Sequence, residues 1–93
     1  MKPYRTGMQI TESVLEATKE RGMEGITITP LISASNLQHT RISKILERLI
    51  GSGLINKIEQ KGKNTFVITE KGILYLEEYK KFNGITETFG LEL

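Results

Sequence analysis

The chain has 93 residues, enough for one small domain and too few for two, and an apolar share of 38% is too high for a disordered chain. It has no cysteine, which excludes disulfide frameworks, thiolate nucleophiles and cysteine-based zinc sites and fits the reducing cytosol. The net charge of +2 says little by itself; the N-terminus lacks a signal-peptide stretch and no window reads as a membrane span, so a soluble, cytoplasmic protein is expected.

The first helix is expected over about Thr6 to Arg21, where Met8, Ile10, Val14, Leu15 and Thr18 form a rough helical stripe and Gly22 follows as a stop. Gly25-Ile26-Thr27-Ile28 is short and β-branched and reads as a stub strand or an extended lead-in. Thr29-Pro30 then starts a second helix, Pro30 to Ser35, with Thr29 as the cap and Pro30 at the first helical position. Asn36-Leu37-Gln38 is a tight turn with a buried leucine. The third helix spans about His39 to Ile50: Ile42, Ile45, Leu46 and Leu49 stand at i, i+3, i+4 and i+7 on one face, and Gly51-Ser52-Gly53 ends it. Leu54 to Glu59 and Thr65 to Ile68 are strands of a β-hairpin, and Gln60 to Asn64 form its basic turn. Thr69 caps a last helix, Glu70 to Phe82, which Asn83-Gly84 is expected to stop. Short helix, tight turn and longer helix form a helix-turn-helix, and the hairpin after it is a wing. The expected fold is mainly α with a small β-hairpin (α+β). It is one domain over residues 1–93, with a core at about 6–83 and a tail at 84–93 available for dimerisation.

Charge is uneven along this order. Residues 38–71 carry seven basic side chains against three acidic ones, whereas residues 1–37 balance and residues 72–93 are net acidic. Positive charge gathered in one segment attracts polyanions better than the same charge spread out.

Three stretches carry a family likeness. Ala34-Ser35-Asn36-Leu37 leads into the third helix, Leu46 to Ile55 ends it with Gly53-Leu54-Ile55, and Phe66 to Gly72 steps from hairpin to last helix. In this order they resemble the winged helix-turn-helix transcriptional regulators, particularly the small archaeal ones, over about residues 8–82. The resemblance implies that the outward face of helix 39–50 enters the major groove of duplex DNA and that the wing, 54–68, lies on the backbone or minor groove. Gln38, His39, Thr40, Arg41, Ser43 and Lys44 are then the base-edge and phosphate candidates. Arg and Lys can donate to guanine, Gln can pair with adenine, and Thr can touch a thymine methyl. Lys61, Lys63 and Asn64 are the wing candidates, with a solubilising turn as the plain alternative. Glu47 would repel phosphate, so the contact face is expected to end before it, and Arg48 either pairs with acidic neighbours or reaches DNA.

No metal or cofactor site is expected. His39 is the only histidine and there is no aspartate, so it reads as a phosphate contact or a helix-start residue. Glu77 and Glu78 are adjacent on a helix and diverge, so they form no acid/base pair. With no nucleophile, base and orienting group in view, the chain is expected not to be an enzyme, and no small-molecule ligand is evident. The partner expected is double-stranded DNA, read by a sequence-specific regulator. The alternatives are a chromatin-type binder with little sequence preference and a winged-helix protein-interaction module. A homodimer is expected through Tyr75, Tyr79 and Phe82 of the last helix, aided by Ile85, Phe89, Leu91 and Leu93 of the tail, with a tail folded back over its own chain in a monomer as the plain alternative.

Overall fold

The structure, a computed structural model, describes residues 7–88 and 90. Its elements in chain order are α1 (Gly7–Arg21), a 3₁₀ turn (Gly22–Glu24), α2 (Ile28–Ser35), α3 (His39–Gly51), β1 (Ile55–Gln60), β2 (Lys63–Ile68) and α4 (Glu70–Thr88). The expected class, helices with one small hairpin, is what forms.

α1 buries Ile10, Val14, Leu15, Ala17 and Thr18, and the Thr18 hydroxyl donates to Val14 O at 2.8 Å, so this polar group is satisfied inside the core. Met8, expected in the same stripe, is exposed instead. The β-branched stub makes one antiparallel bridge: Ile26 N–H donates to Phe66 O at 3.0 Å, and Phe66 N–H returns a bond to Ile26 O at 2.8 Å. Gly25 lets the stub approach this closely. Its φ is +80°, and a Cβ there would stand 3.0 Å from Val67 Cγ2 and 3.2 Å from Phe66 O.

α2 begins two residues earlier than expected, at Ile28, with extended Thr27 rather than Thr29 at the cap and no side-chain capping bond. Pro30 therefore occupies the third helical position. Backbone N–H groups of the first turn have no partner within the helix, so a proline there forfeits nothing and the helix can start ahead of it. Asn36 closes α2 in the left-handed conformation (φ +56°), donating its N–H to Ile32 O at 2.8 Å, and Leu37 drops into the core.

α3 packs Ile42, Leu46 and Leu49 inward, with Ile45 partly covered. Its end is a Schellman motif: Gly53 takes φ +78°, Leu54 N–H donates to Leu49 O at 2.9 Å, and Gly53 N–H donates to Ile50 O at 3.1 Å. The hairpin pairs Ile55 with Ile68 through to Gln60 with Lys63. Its turn is only Lys61-Gly62, with φ +51° and +76°, the sign pattern of a type I′ turn. Lys63 and Asn64, expected in the turn, are the first residues of β2. Beyond Ile55 every β1 residue is exposed, so the hairpin projects from the body.

Thr69 caps α4 as expected. Its hydroxyl accepts from Gly72 N–H at 3.0 Å and donates to Gly53 O at 2.6 Å, and Lys71 Nζ donates to Ser52 O at 2.8 Å. These bonds lock the start of α4 onto the end of α3. α4 does not stop at Asn83-Gly84 but runs on to Thr88. A glycine inside a helix costs about 1 kcal/mol relative to alanine, which weakens a helix without ending it; ending it takes a left-handed residue, and Gly84 has no positive φ. The core lies between α1, α2, α3, the hairpin base and Leu76 of α4.

Candidate nucleic-acid interface

α3 places its candidates by helical period. Gln38, His39, Thr40, Arg41 and Lys44 are exposed and Ser43 is half-buried. With Ile42, Leu46 and Leu49 inward, the remaining positions divide between two flanks about 100° per residue around the axis. His39, Ser43 and Glu47 face the wing. Arg41, Lys44 and Arg48 face α1.

On the wing flank, His39, Ser43 and Glu47 share an open groove with Lys57, Lys63 and Asn64. Its floor includes Leu46, Ile50 and Phe66, and Thr27 and Thr29 stand at its α2 end. The structure thus brings His39 and Ser43 together with Lys63 and Asn64. Lys61, at the turn itself, lines neither groove, nor do Gln38 and Thr40. Lys57 was missed by the sequence reading. The signal was available in the strand period: Lys57 pairs with Phe66 in the register and so shares its face. Glu47, expected beyond the contact face, lies within this groove.

On the other flank, Arg41, Lys44 and Arg48 line a shallower groove with Gly7, Ile10 and Thr11 of α1. The ion pairs among the described residues are Lys80–Glu16 at 2.7 Å and Lys81–Glu78 at 3.6 Å. Of the two roles open to Arg48, pairing with an acidic neighbour is therefore not what is seen among the described residues.

α4 carries the dimer candidates. Leu76 is spent on the core, and Tyr75 packs against it. Tyr79 is half-buried, while Leu74, Phe82 and Ile85 are exposed, at 54%, 42% and 56%. Phe89, Leu91 and Leu93 lie outside the described residues. Beside Tyr79 the α1–α4 seam holds a small ionic cluster. The hydrogen bond and charge of Glu16 hold the Lys80 ammonium above the usual lysine range. Burial, then the Glu16 charge, raises the Glu12 carboxyl against a partial opposing pull from Lys80. Burial first, then Glu12 and Tyr75, raises the Tyr79 phenol.

The arrangement is matched among known proteins. The chain superposes on the DNA-binding protein Sso10a-2 of Sulfolobus solfataricus with a TM-score of 0.78 at 26% identity, covering 91% of this chain and 85% of that one. SSV1 F-93 matches with a TM-score of 0.66 at 18% identity, covering 95% and 97%. A mutant of MepR from S. aureus, bound to oligodeoxyribonucleotide, matches with a TM-score of 0.72 at 18% identity, covering 90% of this chain and 64% of that one. At 18% identity the last two show the fold alone. No curated protein matches by sequence. The winged helix-turn-helix family model matches residues 4–87. Helix-turn-helix, projecting hairpin and a family match over nearly the whole length agree, and the chain belongs to the winged helix-turn-helix family.

Proposed function

We propose that this chain is a single-domain transcriptional regulator that binds double-stranded DNA as a homodimer in the cytoplasm, and that it is a binding module rather than an enzyme. α3 enters the major groove with Gln38, His39, Thr40, Arg41, Ser43 and Lys44 as base-edge and phosphate contacts. The wing lies on the backbone or minor groove through Lys61, Lys63 and Asn64, joined by Lys57. The observation that carries the reading is the exposed, largely basic outer face of α3 standing beside a projecting basic hairpin. It is supported by the likeness to Sso10a-2, a DNA-binding protein, and to a MepR mutant solved with oligodeoxyribonucleotide. Among the described residues no helix is long and apolar enough to cross a membrane.

Binding-site selection from random DNA tests the reading. The selected duplex should bind about 10³-fold or more tighter than mixed-sequence DNA, and affinity for both should fall steeply with salt. Equal affinity for both would replace the regulator by a chromatin-type binder. No salt-dependent binding to either would sink the DNA reading and favour a protein-interaction module.

A further inference from the structure

We propose that the flank of α3 facing α1 is a phosphate-binding strip, made by Arg41, Lys44 and Arg48, that grips the backbone of the bound duplex on the side away from the wing. The proposal rests on the DNA-binding reading and extends it. It adds Arg48 to the interface and takes Arg41 out of base reading.

The first support is how charge is divided around α3. At about 100° per residue, Arg41, Lys44 and Arg48 fall within about 60° of one another. His39, Ser43 and Glu47 occupy the opposite flank, and only that flank carries a carboxylate. Arg41 and Lys44 stand at i, i+3, and Lys44 and Arg48 at i, i+4. Like charges at these spacings destabilise a helix. All three side chains are exposed, and among the described residues none has a carboxylate within ion-pair distance. Glu47 stands at i, i+3 from Lys44 and offsets part of this repulsion, but among the described residues no ion pair neutralises any of the three, so their charge is presented to a polyanion.

The second support is the surface in which they sit. The three line a groove of about 260 Å³ floored by Ile45 and Leu49 and walled by Gly7, Ile10 and Thr11 of α1. Among the described residues no acidic side chain lines it, and the first turn of α1 contains none. The groove on the wing flank, by contrast, includes Glu47.

The third is length. Arg41 to Arg48 covers about 10 Å of helix axis at 1.5 Å per residue. A strip of this length can meet neighbouring phosphates of one strand rather than a single one. Arg41 and Arg48 also point sideways from the outermost line of α3, where Thr40 stands with Lys44 and Glu47 on either side. Contacts made sideways from a helix in the major groove meet the backbone rather than base edges, and backbone contacts position the protein without reading sequence. Base reading then falls to Gln38, His39, Thr40, Ser43 and Glu47, with Lys44 at the border between the two.

The test measures affinity over a salt series for the selected duplex and a mixed-sequence duplex. The proteins are the wild type, Arg48→Gln, Arg41→Gln with Arg48→Gln, and Arg48→Lys. Far-ultraviolet circular dichroism checks that each is folded. The glutamine variants should weaken binding to both duplexes by the same factor. The slope of log affinity against log salt should shrink by about one unit per lost contact, and Arg48→Lys should keep the wild-type slope. Phosphate-ethylation interference should lose a cluster distinct from the one lost in a Lys61→Ala, Lys63→Ala wing variant. Unchanged slope and affinity in Arg48→Gln, while the wing variant weakens, would overturn the strip and leave the DNA reading standing. A loss confined to the selected duplex would also overturn it, because the residues would then be reading bases. A wild type that binds neither duplex removes both proposals together.

Discussion

Gly72 occupies the first turn of α4, where a Cβ would run into the carbonyl oxygen of Leu54 and the side chain of Ile68. Its φ is ordinary, so the demand is for space and not for a left-handed backbone. The carbonyl cannot swing away, because Leu54 O accepts from Thr69 N–H at 3.1 Å in the link that docks α4 on α3. Gly72→Ala should therefore destabilise the fold by about 1–3 kcal/mol, as overpacking does, although alanine is the better helix former. A shift of the urea midpoint to lower concentration checks it; an unchanged or higher midpoint would contradict the close approach. Nothing local in the sequence marks this position, since the atoms that fill the space come from other elements. Thr69 is the opposite case, legible as a cap because its partner, Gly72 N–H, lies three residues on.

Glu12 supplies a second residue-level expectation. Burial chiefly, and then Glu16, raises its folded-state pKa above the unfolded value. The folded chain then binds this proton more tightly than the unfolded chain does. The group's stabilising contribution is complete below the ordinary carboxylate range and is lost as pH rises through the raised value. Glu12→Gln removes the cost of ionising there. It should raise stability at neutral pH, with the gain shrinking towards about pH 4, near the ordinary glutamate value. Urea midpoints across that range decide it, and a gain that grows on acidification would refute the assignment.

At the scale of elements, α1, α3 and the hairpin follow from period and turn chemistry, and their observed bounds differ from expectation by a residue or two, the ordinary spread of helix and strand ends. Two boundaries were misread for one reason. Pro30 and Asn83-Gly84 are breakers, and each was given the strength to set an end. A proline within a first turn and a glycine inside a long helix are both tolerated. The outward face of α3 was legible by the same helical period. Which neighbour each flank of α3 meets was not, because that depends on where α1 and the hairpin pack. The hairpin shows how a local device serves the proposed site: the two-residue turn at Lys61-Gly62 narrows the tip and carries Lys63 and Asn64 into β2, where they line the groove shared with α3. If the wing grips phosphates, Lys61→Ala with Lys63→Ala should weaken binding to selected and mixed duplexes alike and reduce the salt slope by about one unit per lost contact. Loss of preference for the selected duplex would instead give the wing a reading role, and no change in slope would remove it from the interface.

For the whole molecule the open question is what meets α4. Its inward side is committed to the subunit: Leu76 is buried, Tyr75 lies against the core, and Lys80 is tied to Glu16 of α1. What remains outside mixes charged residues, among them Lys71, Glu77, Glu78 and Lys81, with three apolar ones. Leu74, Phe82 and Ile85 are exposed and fall within about a quarter-turn of one another, spread over about 16 Å of helix at 1.5 Å per residue. The expected stripe of Tyr75, Tyr79 and Phe82 is thus divided, with the tyrosines half-covered and Phe82 joined by Leu74 and Ile85 on the open side. Because α4 continues through Gly84, Ile85 stands on the helix and lengthens this surface, which a helix ending at Phe82 would not provide. Exposed apolar side chains gathered on one side of an element mark an interface, and a two-fold pairing of α4 with its copy is the simplest closed solution. Such a pairing also suits the proposed function, because it presents two α3 helices to half-sites about one helical turn apart. Sedimentation equilibrium at micromolar concentration should therefore give a dimer. Phe82→Glu with Ile85→Glu should give a folded monomer, since neither side chain belongs to the core. Losing the dimer should lower affinity for a two-half-site duplex much more than for a single half-site. A wild type that sediments as a monomer would refute the pairing, and a dimer that survives both glutamates would move the interface off this face of α4.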